Sequence, residues 1–100
     1  MSRARFIAAA RLEFLAEVIY YSEAEAGLGA RFAAAVEDAS ARALAFPLSG
    51  SPHRSNTRRI LVKDFPFSLV YRPEPEGIVI SAVAHHARRP FYWQPRARAR

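Results

Sequence analysis

Residues 58–71, RRILVKDFPFSLVY, constrain this chain more than any other stretch. Two short β-branched and aromatic runs flank a turn at Asp64, Phe65 and Pro66. Before the turn, Ile60 and Val62 alternate with Arg59, Leu61 and Lys63. After it, Phe67, Leu69 and Tyr71 alternate with Ser68, Val70 and Arg72. Side chains of a strand point to opposite faces in turn, so period-2 alternation on both sides of a proline-marked turn predicts an antiparallel hairpin. Arg58, Arg59, Lys63 and Arg72 set cations at both ends of this apolar sheet, which suits a surface that meets something anionic or rich in carboxylates.

The rest must fold around that hairpin with limited material. One hundred residues suffice for one modest core. Hydrophobic residues make up 51% of the chain, which excludes a disordered polymer, but alanine supplies much of that fraction, so packing depends on seven Phe, four Tyr, one Trp and the branched aliphatics. No Cys is present, which excludes a disulfide framework and thiolate chemistry and fits a reducing cytoplasm. No run approaches the roughly 18 apolar residues of a membrane span, and the first residues lack a signal-peptide pattern. Lys and Arg outnumber Asp and Glu by 15 to 9, a net +6. The cations cluster at 54–72 and 88–100 and the acids mostly at 13–38, a polarity that suits nucleic acid or an acidic protein partner.

Residues 3–8 are expected to form a first strand anchored by Phe6. From Ala9 to Ala26 the period turns helical, with Leu12, Leu15, Ile19 and Ser22 on one stripe and Phe14, Val18 and Tyr21 on the next. One stripe is expected to pack on a sheet; the other is left for a second helix or a partner. Tyr20 and Tyr21 are expected in helix packing. Gly27, Leu28 and Gly29 mark the corner of a helical hairpin, since glycine relieves the left-handed conformation after a helix end. A second helix, about 28–46, follows from Phe32, Ala35, Val36, Ala39, Ala43 and Phe46, with Asp38 and Arg42 paired on its outer face; Pro47 ends it. Residues 47–56 read as a mobile polar loop with His53 in solvent. After the hairpin and a turn at 72–77, residues 78–86 form a third run with Ile78, Ile80 and Ala82 on one side and Val79 and Val83 on the other, a strand covered on both faces. Phe91, Tyr92 and Trp93 are expected to dock back as a lid, because burying one such ring stabilises by roughly 1.5–3 kcal/mol. The expected architecture is α+β, in the order β-α-α-β-β-β, with a helical hairpin on one face of a small, mainly antiparallel sheet and cations on the other. Residues 1–93 form a single domain. Residues 94–100, with Arg96, Arg98 and Arg100, form a basic, flexible tail with nothing apolar to dock.

This order and several local motifs resemble the RelE/ParE superfamily of type II toxin–antitoxin toxins. The resemblance rests on Ala10 with Leu12 and Leu15, Tyr20-Tyr21, Gly27 to Phe32, Pro47, Arg58-Arg59, Phe65-Pro66-Phe67, Val70-Tyr71-Arg72, Ala82 to His85 and Arg88-Arg89-Pro90, over nearly the whole chain. It implies a growth-inhibiting cytoplasmic toxin, of the kind tied to plasmid stabilisation, neutralised by a cognate antitoxin that wraps it with a helix and an extended stretch, in a hetero-oligomer. It leaves two mechanisms open. ParE-like members poison DNA gyrase by protein contact; RelE-like members cut ribosome-bound mRNA.

Cleavage through a 2′-OH needs a base, an acid and a cation for the phosphate. His85 and Tyr92 are the candidates for proton transfer, and Arg59 and Arg88 for the phosphate. Arg58, Arg59, Lys63, Arg72, Arg88 and Arg89 are the candidates for binding antitoxin or target. Three departures favour the gyrase mechanism: Ser68 stands where one ribonuclease branch places an Arg, the chain continues past Trp93 where that branch ends on its catalytic His and Tyr, and Lys63 is the one lysine. Tyr71 reads as a core residue. Adjacent His85 and His86 diverge on a strand, so neither a metal site nor a cofactor is expected.

Overall fold

The computed structural model describes residues 3–98, without the side chain of Arg98; the sequence expectations for the Arg98 side chain and for Arg100 fall outside the described residues. Five strands form one sheet in the order β1-β5-β4-β3-β2: β1 (Arg3–Phe6), β2 (Ser51–Pro52), β3 (Arg58–Leu61), β4 (Phe67–Glu74) and β5 (Gly77–His85). All neighbours run antiparallel except β1, which lies parallel to β5. Two long helices, α1 (Ala8–Ala24) and α2 (Leu28–Ala45), form the expected hairpin, and a one-turn helix, α3 (Gln94–Arg98), closes the described chain. Gly27, at φ 82°, makes the left-handed corner between the long helices.

The expected antiparallel hairpin of β3 and β4 forms, with Ile60 opposite Leu69 and Arg59 opposite Val70. Phe67, Leu69 and Tyr71 face the helices and are buried with Phe32, Val36 and Ile80. Phe32 lies at the centre, with ring centroids 5.0–6.1 Å from Phe14, Tyr21, Phe65 and Phe67. The pairs with Phe65 and Phe67 are edge-on, an arrangement that adds about 0.5–1.5 kcal/mol each beyond buried area. Of α1's two stripes, Phe14, Val18 and Tyr21 pack against this core. Leu12, Leu15 and Ile19 stay exposed, and so does Tyr20, which the sequence placed in helix packing.

Three further features depart from the sequence expectations. The first is a β-bulge. Val70 pairs with Ala82 but Tyr71 pairs with Ile80, so Ser81 is an extra residue in β5. One added residue reverses the facing of everything after it. Ala82 therefore joins Val70 on the face away from α1 and α2, and Val83 joins Ile78 and Ile80 against them, the reverse of the expected alternation. The second is the 47–56 loop, which carries β2 and is pinned from below. The Tyr71 hydroxyl donates to Pro47 O (2.8 Å) and accepts Gly50 N–H (3.1 Å), while Arg58 donates to Leu48 O and Gly50 O. Gly50 lies so close that a Cβ there would sit 2.6 Å from the Tyr71 hydroxyl. The third is the segment read as a tail with nothing apolar to dock. Its Ala97 is buried with Val70, Ala82 and Trp93 on the second face of the sheet. Residues 91–97 thus form a strap across that face.

Candidate functional site: a cationic cleft beneath the strap

The strap covers only part of the second face. Between it and the sheet lies an open cleft of about 390 Å³. Arg59 and Leu61 from β3, Ser68 and Val70 from β4 and Ala84 from β5 make its floor, and His85, His86 and residues 88–93 make its wall. Cross-strand pairing puts Arg59, Val70 and Ala82 in one row across this face of the sheet, with Ala82 beneath the strap. The alternation that turns Arg59 into the cleft turns Arg58 the other way, against the pinned loop.

Glu13 of α1 holds the wall in place. Pairing of β1 with β5 reaches only Ile80 and ends with the Ile7 N–H to Ile80 O bond. Beyond it the edge of β5 is open, and Glu13 Oε1 accepts the Val83 N–H there (3.2 Å). A bidentate fork from Arg96 reaches both carboxylate oxygens (2.9 and 3.0 Å), and Arg96 also donates to Ser81 O in the bulge. Tyr92 donates its hydroxyl to Glu13 Oε2 (2.5 Å). Arg88 lies 3.8 Å from the same oxygen, with its guanidinium 3.8 Å above the Tyr92 ring. Burial, and then the hydrogen bond and charge of Glu13, push the Tyr92 phenol well above the ordinary tyrosine range.

Arg59, Arg88, Arg89, Tyr92 and His85 all border this one cleft. Arg59 and Arg89 meet no carboxylate among the described residues and stay exposed. His85 reaches the cleft only at its rim. Its ring packs edge-on against Phe67 (4.8 Å between centroids), because the bulge sets it opposite Phe67, and its Nδ1 accepts the Ala87 N–H (2.9 Å). The other predicted cations lie elsewhere. Arg58 is spent on loop carbonyls. Arg72 donates to Glu74 (3.1 Å) and Ala97 O (3.3 Å), fastening the strap. Lys63, in the β3–β4 turn, borders a separate groove with Arg31, Asp38 and Phe65.

Two cleft residues escaped the sequence reading. His53, expected in solvent, lies beside the rings of Phe91 (5.2 Å) and Trp93 (5.3 Å). Burial, then the charges of Arg59 and Arg54, lower its pKa. His86 shares a 2.9 Å hydrogen bond with the buried Ser68 hydroxyl. The one sequence signal for His53 was the aromatic triplet at 91–93, which needs a surface to cover. Among the described residues, no three His, Cys, Asp or Glu side chains gather closely enough to hold a metal ion.

The sequence model of one family, the ParE toxin of type II toxin-antitoxin system, parDE, matches residues 7–90, from the entry into α1 to the base of the strap. The chain belongs to the ParE toxin family. No curated protein gives a match. As a ParE-family member it is the toxin of a type II toxin–antitoxin pair, and a cognate antitoxin is its partner. No helix among the described residues of this toxin is long and apolar enough to cross a membrane.

Proposed function

We propose that this toxin poisons DNA gyrase in the cytoplasm by protein contact, with the cations of the cleft as a docking surface for carboxylates of its antitoxin or its target. The supporting observation is the engagement of both proton-transfer candidates. Tyr92 is tied to Glu13, and its raised pKa makes it a poor base at neutral pH. His85 has its ring on Phe67 and its Nδ1 occupied. Arg59, Arg88 and Arg89 remain beside the cleft, and charge complementarity of this kind speeds and orients docking of an acidic partner.

One observation favours mRNA cleavage as a second reading. His86 and Ser68 form a polar pair in the same cleft as Arg59 and Arg89, a combination that could serve a phosphate and move a proton. A gyrase supercoiling and DNA-cleavage assay, with and without antitoxin, separates the two. Trapped cleavage complexes that antitoxin suppresses are the expected result. Folded, antitoxin-competent toxin that leaves gyrase unaffected and cuts ribosome-bound mRNA would replace this reading with the second, and His86→Ala would then abolish cleavage.

A further inference from the structure

The cleft has a feature that docking of a carboxylate does not require. All three histidines of the chain, His53, His85 and His86, line it together with Arg59, Arg88 and Arg89, and no Asp or Glu does. Histidine is the side chain whose charge changes between about pH 5 and 8. Fixed and titratable positive charge therefore share one opening.

The three histidines differ in what a proton costs them. His85 Nδ1 accepts the Ala87 N–H, and a proton there breaks that bond. His53 is half-buried against Phe91 and Trp93, and burial, then the charges of Arg59 and Arg54, work against its charged form. His86 is exposed. The Ser68 hydroxyl it meets can donate to a neutral ring or accept from a charged one, so a proton on His86 breaks no hydrogen bond.

The charges around His86 are positive on the cleft side. Arg59 comes from the floor, and Arg88 and Arg89 follow His86 in the wall. Glu13, on the α1 side of the wall, is engaged by Arg96, Tyr92 and the Val83 N–H, with Arg88 at 3.8 Å. The β3–β4 turn, whose Pro66 O accepts the His86 N–H, gives Lys63 and Asp64 to the groove beside α2 instead. A proton on His86 thus gains most when an anion enters the cleft, and an entering anion gains a further cation to bind. Linkage makes the two effects equal.

We propose that the cleft is a proton-linked oxyanion site: it binds an anionic oxygen group with uptake of a proton by His86, and so holds an acidic partner more tightly as pH falls below about 7. The inference rests on the reading of the cleft as a docking surface, and not on the gyrase mechanism.

An NMR titration of the full chain with sodium sulfate, at about pH 7.5 and about pH 5.5 and at constant ionic strength, tests this. Sulfate keeps both charges over this range, so a pH dependence belongs to the protein. The wild type is expected to bind about fivefold or more tightly at the lower pH, with shifts in the residues that line the cleft. His86→Gln keeps a hydrogen-bonding group toward Ser68 and loses the charge. Its affinities at the two pH values are expected to agree within about twofold, whereas His53→Gln is expected to keep most of the wild-type dependence. Equal wild-type affinity at both pH values, or no binding at either, overturns the proposal. So does a His86→Gln variant that keeps the dependence. Sulfate binding that Arg59→Glu with Arg89→Glu does not weaken lies outside the cleft and overturns it as well. The docking reading fails separately, by an antitoxin affinity that the same double substitution leaves unchanged.

Discussion

The two faces of the sheet are held by different physics. Against α1 and α2, the sheet is sealed by interlocked rings around Phe32, with Ile78, Ile80 and Val83 behind them. Against the strap, the buried cluster is four residues, Val70, Ala82, Trp93 and Ala97, and polar ties from Glu13, Arg72 and Arg96 do much of the holding. Apolar burial is strong but leaves no accessible surface. Directed hydrogen bonds can fix a segment at its ends and leave an open cleft between, and Arg59, Arg88 and Arg89 border it. The first face holds most of the buried core; the second keeps an open cleft bordered by cations.

That division can be broken most sharply from the helix side. Phe32→Ala removes the centre of the ring cluster and is expected to cost about 3–5 kcal/mol in urea unfolding. Trp93→Ala is expected to cost less, about 1.5–3 kcal/mol, because the strap can lift while the core survives. Equal losses would show that the faces are energetically alike. Next in size is Glu13→Gln. It leaves Arg96, Arg88 and the Val83 N–H with a weaker acceptor, and charged hydrogen bonds of this kind contribute about 1.5–3 kcal/mol. Global stability is expected to fall by roughly 2 kcal/mol, with hydrogen exchange rising in residues 91–97 more than in α2. Equal exchange in both regions would remove Glu13 as the anchor of the strap.

The surface itself is sharpened by Arg59→Glu with Arg89→Glu. Both side chains are exposed, so stability is expected to move by less than about 0.5 kcal/mol. Antitoxin affinity is expected to drop by about tenfold or more in a calorimetric titration. Unchanged affinity would take the cleft out of antitoxin recognition. The smallest expected effect is a pH dependence at His53. Its folded pKa is lowered, so neutral imidazole is the form the fold prefers. The contribution is complete above the unfolded pKa of about 6.5 and is lost as pH falls through the folded value. The urea midpoint should decline below pH 6.5, and His53→Gln should flatten that slope. Tyr92 gives the opposite sign at the alkaline end: its raised pKa contributes stability that is complete below about pH 10 and is lost above it.

The cleft was half legible from sequence, for reasons visible in single residues. Arg59 announced itself through strand alternation, and Arg88, Arg89 and Tyr92 through a basic pair ahead of three aromatics. Arg58 and Arg72 carry the same charge in the same stretch, yet alternation turns Arg58 onto the carbonyls of the pinned loop, and Arg72 is taken up by Ala97 O and Glu74 beneath the strap. His53 read as solvated because local composition carries no record of what lies across the cleft.

The sequence by itself determined the helical hairpin, the β3–β4 hairpin and its alternation, the end of α2 ahead of Pro47 and the toxin family, since each rests on periodicity, turn chemistry or motif spacing within a short window. Only the tertiary structure decided the rest. The Ser81 bulge inverted the facing of β5, since one extra residue leaves no local mark yet reverses a period of two. Glu13 found Val83, Tyr92 and Arg96 at separations of 70, 79 and 83 residues. A carboxylate takes its partners from whatever the fold brings within hydrogen-bond reach, and that is set by packing.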